Sequence, residues 1–141
     1  FDKTTPTISS VDSDGQIFNS GVHKITVVFS EPLATAPKIA IATAGTIDDV
    51  SATAMTGTTP TNTWTYDYTI SQPSSDGTAT ITLSDGADPA GNVMASDNSH
   101  AFIIDTTDPT ISISSPTADQ VVKSADGNVS FTFSAADTNL D

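Results

Sequence analysis

The sequence predicts an all-β protein, and three observations carry the prediction. Apolar residues recur at every second position, as in Ile25, Val27 and Phe29 or Trp64, Tyr66, Tyr68 and Ile70, which is the period of a half-buried strand. Helix formers are scarce: Glu31 is the only glutamate, Thr and Ser abound, and no segment carries a 3.6-residue apolar period. Turn residues punctuate the chain about every 8 to 12 positions, the strand spacing of a β-sandwich.

In chain order, Thr7 to Val11 reads as an edge strand, because Pro6 is tolerated only at a strand start or an edge. Asp12-Ser13-Asp14-Gly15 is turn chemistry, Ile17 and Phe18 form a short strand or staple, and Asn19-Ser20-Gly21 turns the chain again. Lys24 to Ser30 is the clearest inner strand, with Ile25, Val27 and Phe29 on one face and Thr26, Val28 and Ser30 on the other. Glu31-Pro32 is expected to end it, since Pro32 has no N–H to donate to a ladder. Lys38 to Thr43 alternates Ile39 and Ile41 against Ala40 and Ala42. Gly45 to Asn62 is rich in Thr and Ala, with a turn at Asp48-Asp49 and room for a strand from Val50 to Met55. Trp64 to Ile70 follows as a strand, its aromatic face directed into the core rather than offered as a sugar-stacking platform. After the turn residues Ser71 to Gly77, Thr78 to Leu83 directs Ala79, Ile81 and Leu83 inward. Ser84 to His100 reads as a long acidic connection and Ala101 to Ile104 as the last strand. About seven strands in about 100 residues fit a sandwich of immunoglobulin type.

The opening of the chain recurs. Asp2-Lys3-Thr4-Thr5-Pro6-Thr7-Ile8 returns as Asp105-Thr106-Thr107-Asp108-Pro109-Thr110-Ile111, and Asp105 follows Asp2 by 103 positions. That period is the size of a small domain. Residues 1–105 therefore read as one complete repeat and 106–141 as the start of a second, in a tandem array. Thr110 to Ser114 matches the first strand, Asp119-Gln120-Val121 matches Asp14 to Ile17, and Val129, Phe131 and Phe133 match Ile25, Val27 and Phe29. The second segment is below the ~40 residues at which isolated chains usually need help to fold.

Four Lys plus Arg against 17 Asp plus Glu give a formal net charge of −13, the wrong sign for nucleic acid or an anionic membrane. There are no cysteines, so disulfides and thiolate metal sites are excluded. No apolar run approaches the ~20 residues of a membrane-inserted span, and the N-terminus has no basic-then-apolar signal pattern. His23 and His100 stand in no recognisable metal or triad spacing and read as surface polar residues. Lys24 is the one plausible donor for an internal isopeptide bond, which requires a buried lysine. Asn128-Val129-Ser130 is a glycosylation sequon by pattern only. The acids sit in loops without an evident cleft, so the expectation is not an enzyme.

Asp2-Lys3-Thr4-Thr5-Pro6-Thr7 and its second copy, Val28-Phe29-Ser30-Glu31-Pro32-Leu33, and Asp88-Pro89-Ala90-Gly91-Asn92 together resemble the bacterial immunoglobulin-like repeats of large surface and secreted adhesin-like proteins. The resemblance covers residues 1–105 and continues into the second copy, where Ser134-Ala135-Ala136-Asp137 departs from Ser30-Glu31-Pro32. It implies an extracellular or cell-surface location in bacteria, with neighbouring repeats of the same chain as partners and any host or surface ligand bound by other domains. It also implies that calcium stiffens the joints between repeats. Ca²⁺ takes six to eight oxygen ligands, and the segments expected near the rear pole carry Asp85, Asp88, Asn92, Asp105, Asp108, Asp119 and Asp126. The front pole carries Asp2, Asp12 and Asp14. Glu31, at a strand end beside Pro32, reads as a ligand, a pole hydrogen-bond acceptor or a solvated strand terminus. The competing reading of Asp88 to Asn92 is a tight turn bonding its own backbone. Asp12-Ser13-Asp14-Gly15 is only part of an EF-hand loop, with Gly21 where the closing Glu belongs. The functional expectation is a non-catalytic extender. The alternatives are a glycan-binding module, which needs exposed aromatics, and a filament or surface-layer subunit assembled by strand complementation through the Val129–Phe133 segment.

Overall fold

A computed structural model describes residues 2–74, 76–117, 121, 123 and 127–138. The chain divides into two compact units, residues 1–106 and 107–141.

The first unit is all-β and sandwich-like, without helix among the described residues. Its strands are β1 (Ile8–Val11), β2 (Ile17–Phe18), β3 (Gly21–Leu33), β4 (Lys38–Ala42), β5 (Val50–Ala54), β6 (Thr61–Ile70), β7 (Gly77–Ser84) and β8 (Asp97–Ile104). One sheet has the order β1-β3-β6 and the other β2-β8-β7-β4-β5. Neighbours are antiparallel except β2, which runs parallel to β8.

Period-two patterning builds the core. Ile25, Val27 and Phe29 of β3, Trp64, Tyr68 and Ile70 of β6, Ile39 and Ile41 of β4, Ala79, Ile81 and Leu83 of β7, and Phe102 and Ile104 of β8 are all buried in one cluster. Each fully buried aliphatic of this size stabilises the fold by about 1.5–3 kcal/mol against exposure. The two buried aromatics with polar ends find acceptors: Trp64 Nε1 donates to the Thr61 carbonyl at 3.1 Å, and the Tyr68 hydroxyl to the Asp48 carbonyl at 3.0 Å. Tyr66 is only half-buried and packs at the cluster's margin.

Several boundaries differ from expectation. β3 begins at Gly21 rather than Lys24 and β6 at Thr61 rather than Trp64, because backbone pairing between the two runs from Gly21 opposite Ile70 to Leu33 opposite Thr61. β3 runs through Pro32 to Leu33, because its pairing with β6 is irregular between Val28 and Leu33 and resumes only at Leu33 opposite Thr61. Pro32 thus occupies a stretch where no ladder donor is required. β8 begins at Asp97 rather than Ala101, since polar Asp97 to His100 forms strand through backbone pairing with β7 despite lacking apolar alternation.

The second unit contains β9 (Thr110–Ser115) and β10 (Thr132–Ala136), paired antiparallel. Val129 and Phe131 precede β10 rather than lying in it, and Ile111, Ile113 and Phe133 are exposed. The register is not that of the first unit: Ile8 faces Phe29, whereas its counterpart Ile111 faces Ala135. The expected matches at Asp119 and Gln120 lie outside the described residues.

Candidate cation site

Three acids distant in sequence meet at the entry of the first unit. One carboxylate oxygen from each of Asp2, Glu31 and Asp88 lies within 4.8 Å of the other two. Each is delivered by a different device. The extension of β3 beyond Ser30 carries Glu31, which stays half-buried. Asp2 belongs to the opening segment and accepts the Thr4 N–H on Oδ1 at 2.9 Å.

Asp88 is set by a closed turn. The Gly91 N–H donates to the Asp88 carbonyl at 3.1 Å, and the Asp88 N–H to the Asn92 carbonyl at 3.1 Å. Gly91 sits at φ +89°, a conformation that costs an L side chain strain. Asn92 donates its backbone N–H to Asp88 Oδ1 at 2.8 Å and its side-chain amide to Oδ2 at 2.7 Å. The same amide reaches the Asp2 carbonyl at 3.5 Å. Backbone bonds from Ala34 and Thr35 to the Ala87 carbonyl, at 2.8 and 3.0 Å, moor this loop to the end of β3.

The electrostatics of the three acids differ. The Asn92 side-chain amide, with the backbone N–H groups of Asn92, Ala90 and Gly91, holds the Asp88 carboxyl below its ordinary value against a smaller effect of burial. Desolvation pushes Glu31 up, and the charges of Asp2 and Asp88 push it further in the same direction. Like charges at this distance disfavour ionisation of the least supported member. A hard divalent cation reverses that penalty, and carboxylate oxygens with neighbouring carbonyls are the donor set it takes.

The remaining expected ligands are distributed elsewhere. Asp12 Oδ1 accepts the Thr26 N–H at 2.8 Å. Asp14 receives His100 Nδ1 at 2.6 Å and the Ala101 N–H at 3.2 Å. Asp85 pairs with Lys38 at 3.0 Å. Asp105 follows the far end of β8, its N–H donating to the Phe18 carbonyl at 2.9 Å, so roughly 24 Å of strand separates it from the Asp88 loop that precedes β8. Asp88 and Asn92 therefore share a pole with Asp2, not with Asp105. Asp108 belongs to the second unit, and Asp119 and Asp126 lie outside the described residues.

Two arrangements were not anticipated. His100 is bound to Asp14 and largely covered, its side chain 16% exposed, rather than a free surface residue. At the exit of the unit, Asp76 Oδ1 accepts the Thr106 N–H at 2.7 Å and its hydroxyl at 2.9 Å, while Gln72 Nε2 donates to the Thr106 carbonyl at 3.4 Å. The Asp76-Gly77 turn signal was legible, but nothing local pointed to a partner thirty positions away. Trp64 and Tyr68 are buried, and among the described residues of the first unit the large exposed apolar ones are the aliphatics Ile17, Val22, Ile47 and Val93.

Comparisons with protein families, with curated proteins and with solved structures give no match.

Proposed function

We propose that this chain is a non-catalytic immunoglobulin-like repeat of an extracellular bacterial adhesin-like protein, an extender whose entry pole is stiffened by Ca²⁺ held by Asp2, Glu31 and Asp88. The convergence of these three acids carries the reading. Asp2 belongs to the motif that recurs at Asp105, so a cation held through it ties the segment entering the domain to the folded body. The bonds from Asp76 and Gln72 to Thr106 support the same reading at the exit, since they fix the first residue after the Asp105 repeat mark. Partners on this reading are neighbouring repeats, and ligand recognition belongs to other domains.

The test is a thermal melt in chelator and then in Ca²⁺ or Mg²⁺ at matched ionic strength. An extracellular-type site has Kd of ~10⁻⁴ to 10⁻³ M, and at ten times Kd it adds about 1.4 kcal/mol, or several degrees in a domain of this size. Calcium is expected to raise the midpoint more than magnesium, and Glu31→Gln to abolish the difference. In chelator Glu31→Gln should melt no lower than the parent, because it removes the charge that Asp2 and Asp88 oppose. Equal responses to the two ions would reject the calcium assignment.

A further inference from the structure

We propose that the outer edge of β5 is a self-association surface, on which β5 of a second copy of this chain pairs antiparallel. This goes beyond the extender reading and does not depend on calcium.

β5 ends the five-stranded sheet and, among the described residues, pairs only with β4. The other edges of the first unit offer less. β2 has two residues, β1 has four and follows Pro6, and β6 is already engaged at Thr65, which exchanges backbone bonds with Thr56 at 2.8 and 2.9 Å. Edge strands left open are usually guarded by lysine, proline or inward charge. β5 carries none of these. Ser51, Ala52, Thr53 and Ala54 are exposed, and no Asp, Glu, Lys, Arg or His occurs from Val50 to Tyr66. Its guards are an irregular pairing opposite Ile39 and Ile41 and the Thr53 hydroxyl, which donates to the Ser51 carbonyl at 2.7 Å.

Charge selects the occupant's approach. Two chains of net charge −13 repel over most of their surfaces. A two-fold pairing centred near Ala52 sets Ser51 opposite Thr53 and Val50 opposite Ala54 of the second copy, small and hydroxyl side chains that suit cross-strand contact. Asp49 of one copy then stands about 20 Å from Asp49 of the other, at opposite ends of the pair, more than two Debye lengths at physiological salt. Lys38, in register with Ala54 and paired with Asp85 at 3.0 Å, stands at the end where Asp49 of the second copy arrives, so that end of the pair is close to neutral rather than attractive. Ile47, 60% exposed just before the strand, adds apolar surface.

Sedimentation equilibrium of the 141-residue chain between roughly 0.01 and 1 mM, the range a small interface demands, tests this. The parent is expected to shift reversibly from monomer to dimer. Ala52→Lys, a change at an exposed position, is expected to weaken the dimer at least about tenfold by placing like charges at the axis, with an unchanged melting midpoint. In the parent, hydrogen exchange at residues 50–54 should slow as concentration rises. A parent that stays monomeric, a dimer that survives Ala52→Lys, or exchange at 50–54 that ignores concentration each overturns the proposal. Survival of the dimer would place the contact on another surface, such as the exposed Ile111, Ile113 and Phe133 of the second unit.

Discussion

At the scale of single residues, the tightest constraint is the one that a missing side chain imposes. A Cβ built on Gly57 falls 2.7 Å from Trp64 Cε3, 2.9 Å from Cδ2 and 3.0 Å from the Thr61 methyl. Trp64 cannot yield: it is 1% exposed, and its indole N–H is held by the Thr61 carbonyl. Gly57→Ala should therefore force the strand or the ring to move, at a cost of about 1–3 kcal/mol typical of overpacking. A urea melt read by Trp64 fluorescence measures it, and an unchanged midpoint would mean that the loop relaxes freely. Gly91 is constrained differently, since its Cβ would meet open space and only its positive φ resists substitution. Thus one glycine serves packing and the other serves the turn that presents Asp88.

At the scale of elements, loops are joined by buried acid. Asp48, 8% exposed, lies between β4 and β5 and accepts the Ser71 N–H at 3.2 Å and the Ser74 hydroxyl, while its carbonyl receives Tyr68. Burial raises its carboxyl pKa, but the bonds from Ser74 and Ser71 together outweigh burial and leave it below the ordinary value. Asp97, bonded by Ser99, and Asp88, bonded by Asn92, are depressed too. A depressed folded-state pKa gives stability that is present above the unfolded value near 4 and lost as pH falls through the folded one. Glu31 acts in the opposite sense, relieving repulsion as it protonates. Asp48 is buried and its depression is held by named bonds, so Asp48→Asn should be less stable at pH 7 and fall less steeply below about pH 4. Urea melts across pH 2–7 check this, and parallel profiles for parent and variant would remove Asp48 from the account. The strands that hold these loops were legible wherever alternation was apolar, as at Ile25 to Phe29 and Trp64 to Ile70. Asp97 to His100 was not, because backbone pairing with β7 rather than side-chain burial makes it strand. Nor was the entry cluster as such: Asp2, Glu31 and Asp88 were each candidates, but their union depends on β3 continuing through Pro32. Strand direction separates Asp88 from Asp105, so grouping them by their places on either side of the last strand put them at one pole when they occupy two.

At the scale of the whole molecule, charge is the variable that acts everywhere at once. Among the four cationic side chains, Lys24 pairs with Asp67 at 2.7 Å and Lys38 with Asp85 at 3.0 Å, both well exposed. Such pairs contribute little, so the surplus of thirteen negative charges is left to self-repulsion. A folded domain of about 100 residues has a radius of gyration near 13 Å. The screening length is about 30 Å at 0.01 M salt and about 8 Å at 0.15 M. At low salt nearly every acid in the first unit feels every other, whereas at physiological salt only neighbours interact. The expanded unfolded chain suffers less from this repulsion than the compact state, so the melting midpoint should rise between 0.01 and 0.15 M NaCl and flatten above. That response is global, and the Glu31→Gln chain should keep it almost entire. The calcium response expected of the proposed site is local, saturable and confined to the parent. Melting both chains in NaCl and CaCl₂ at equal ionic strength separates the two effects. If calcium adds nothing beyond the NaCl curve in the parent, the acids at the entry pole are members of the general negative field and not a site.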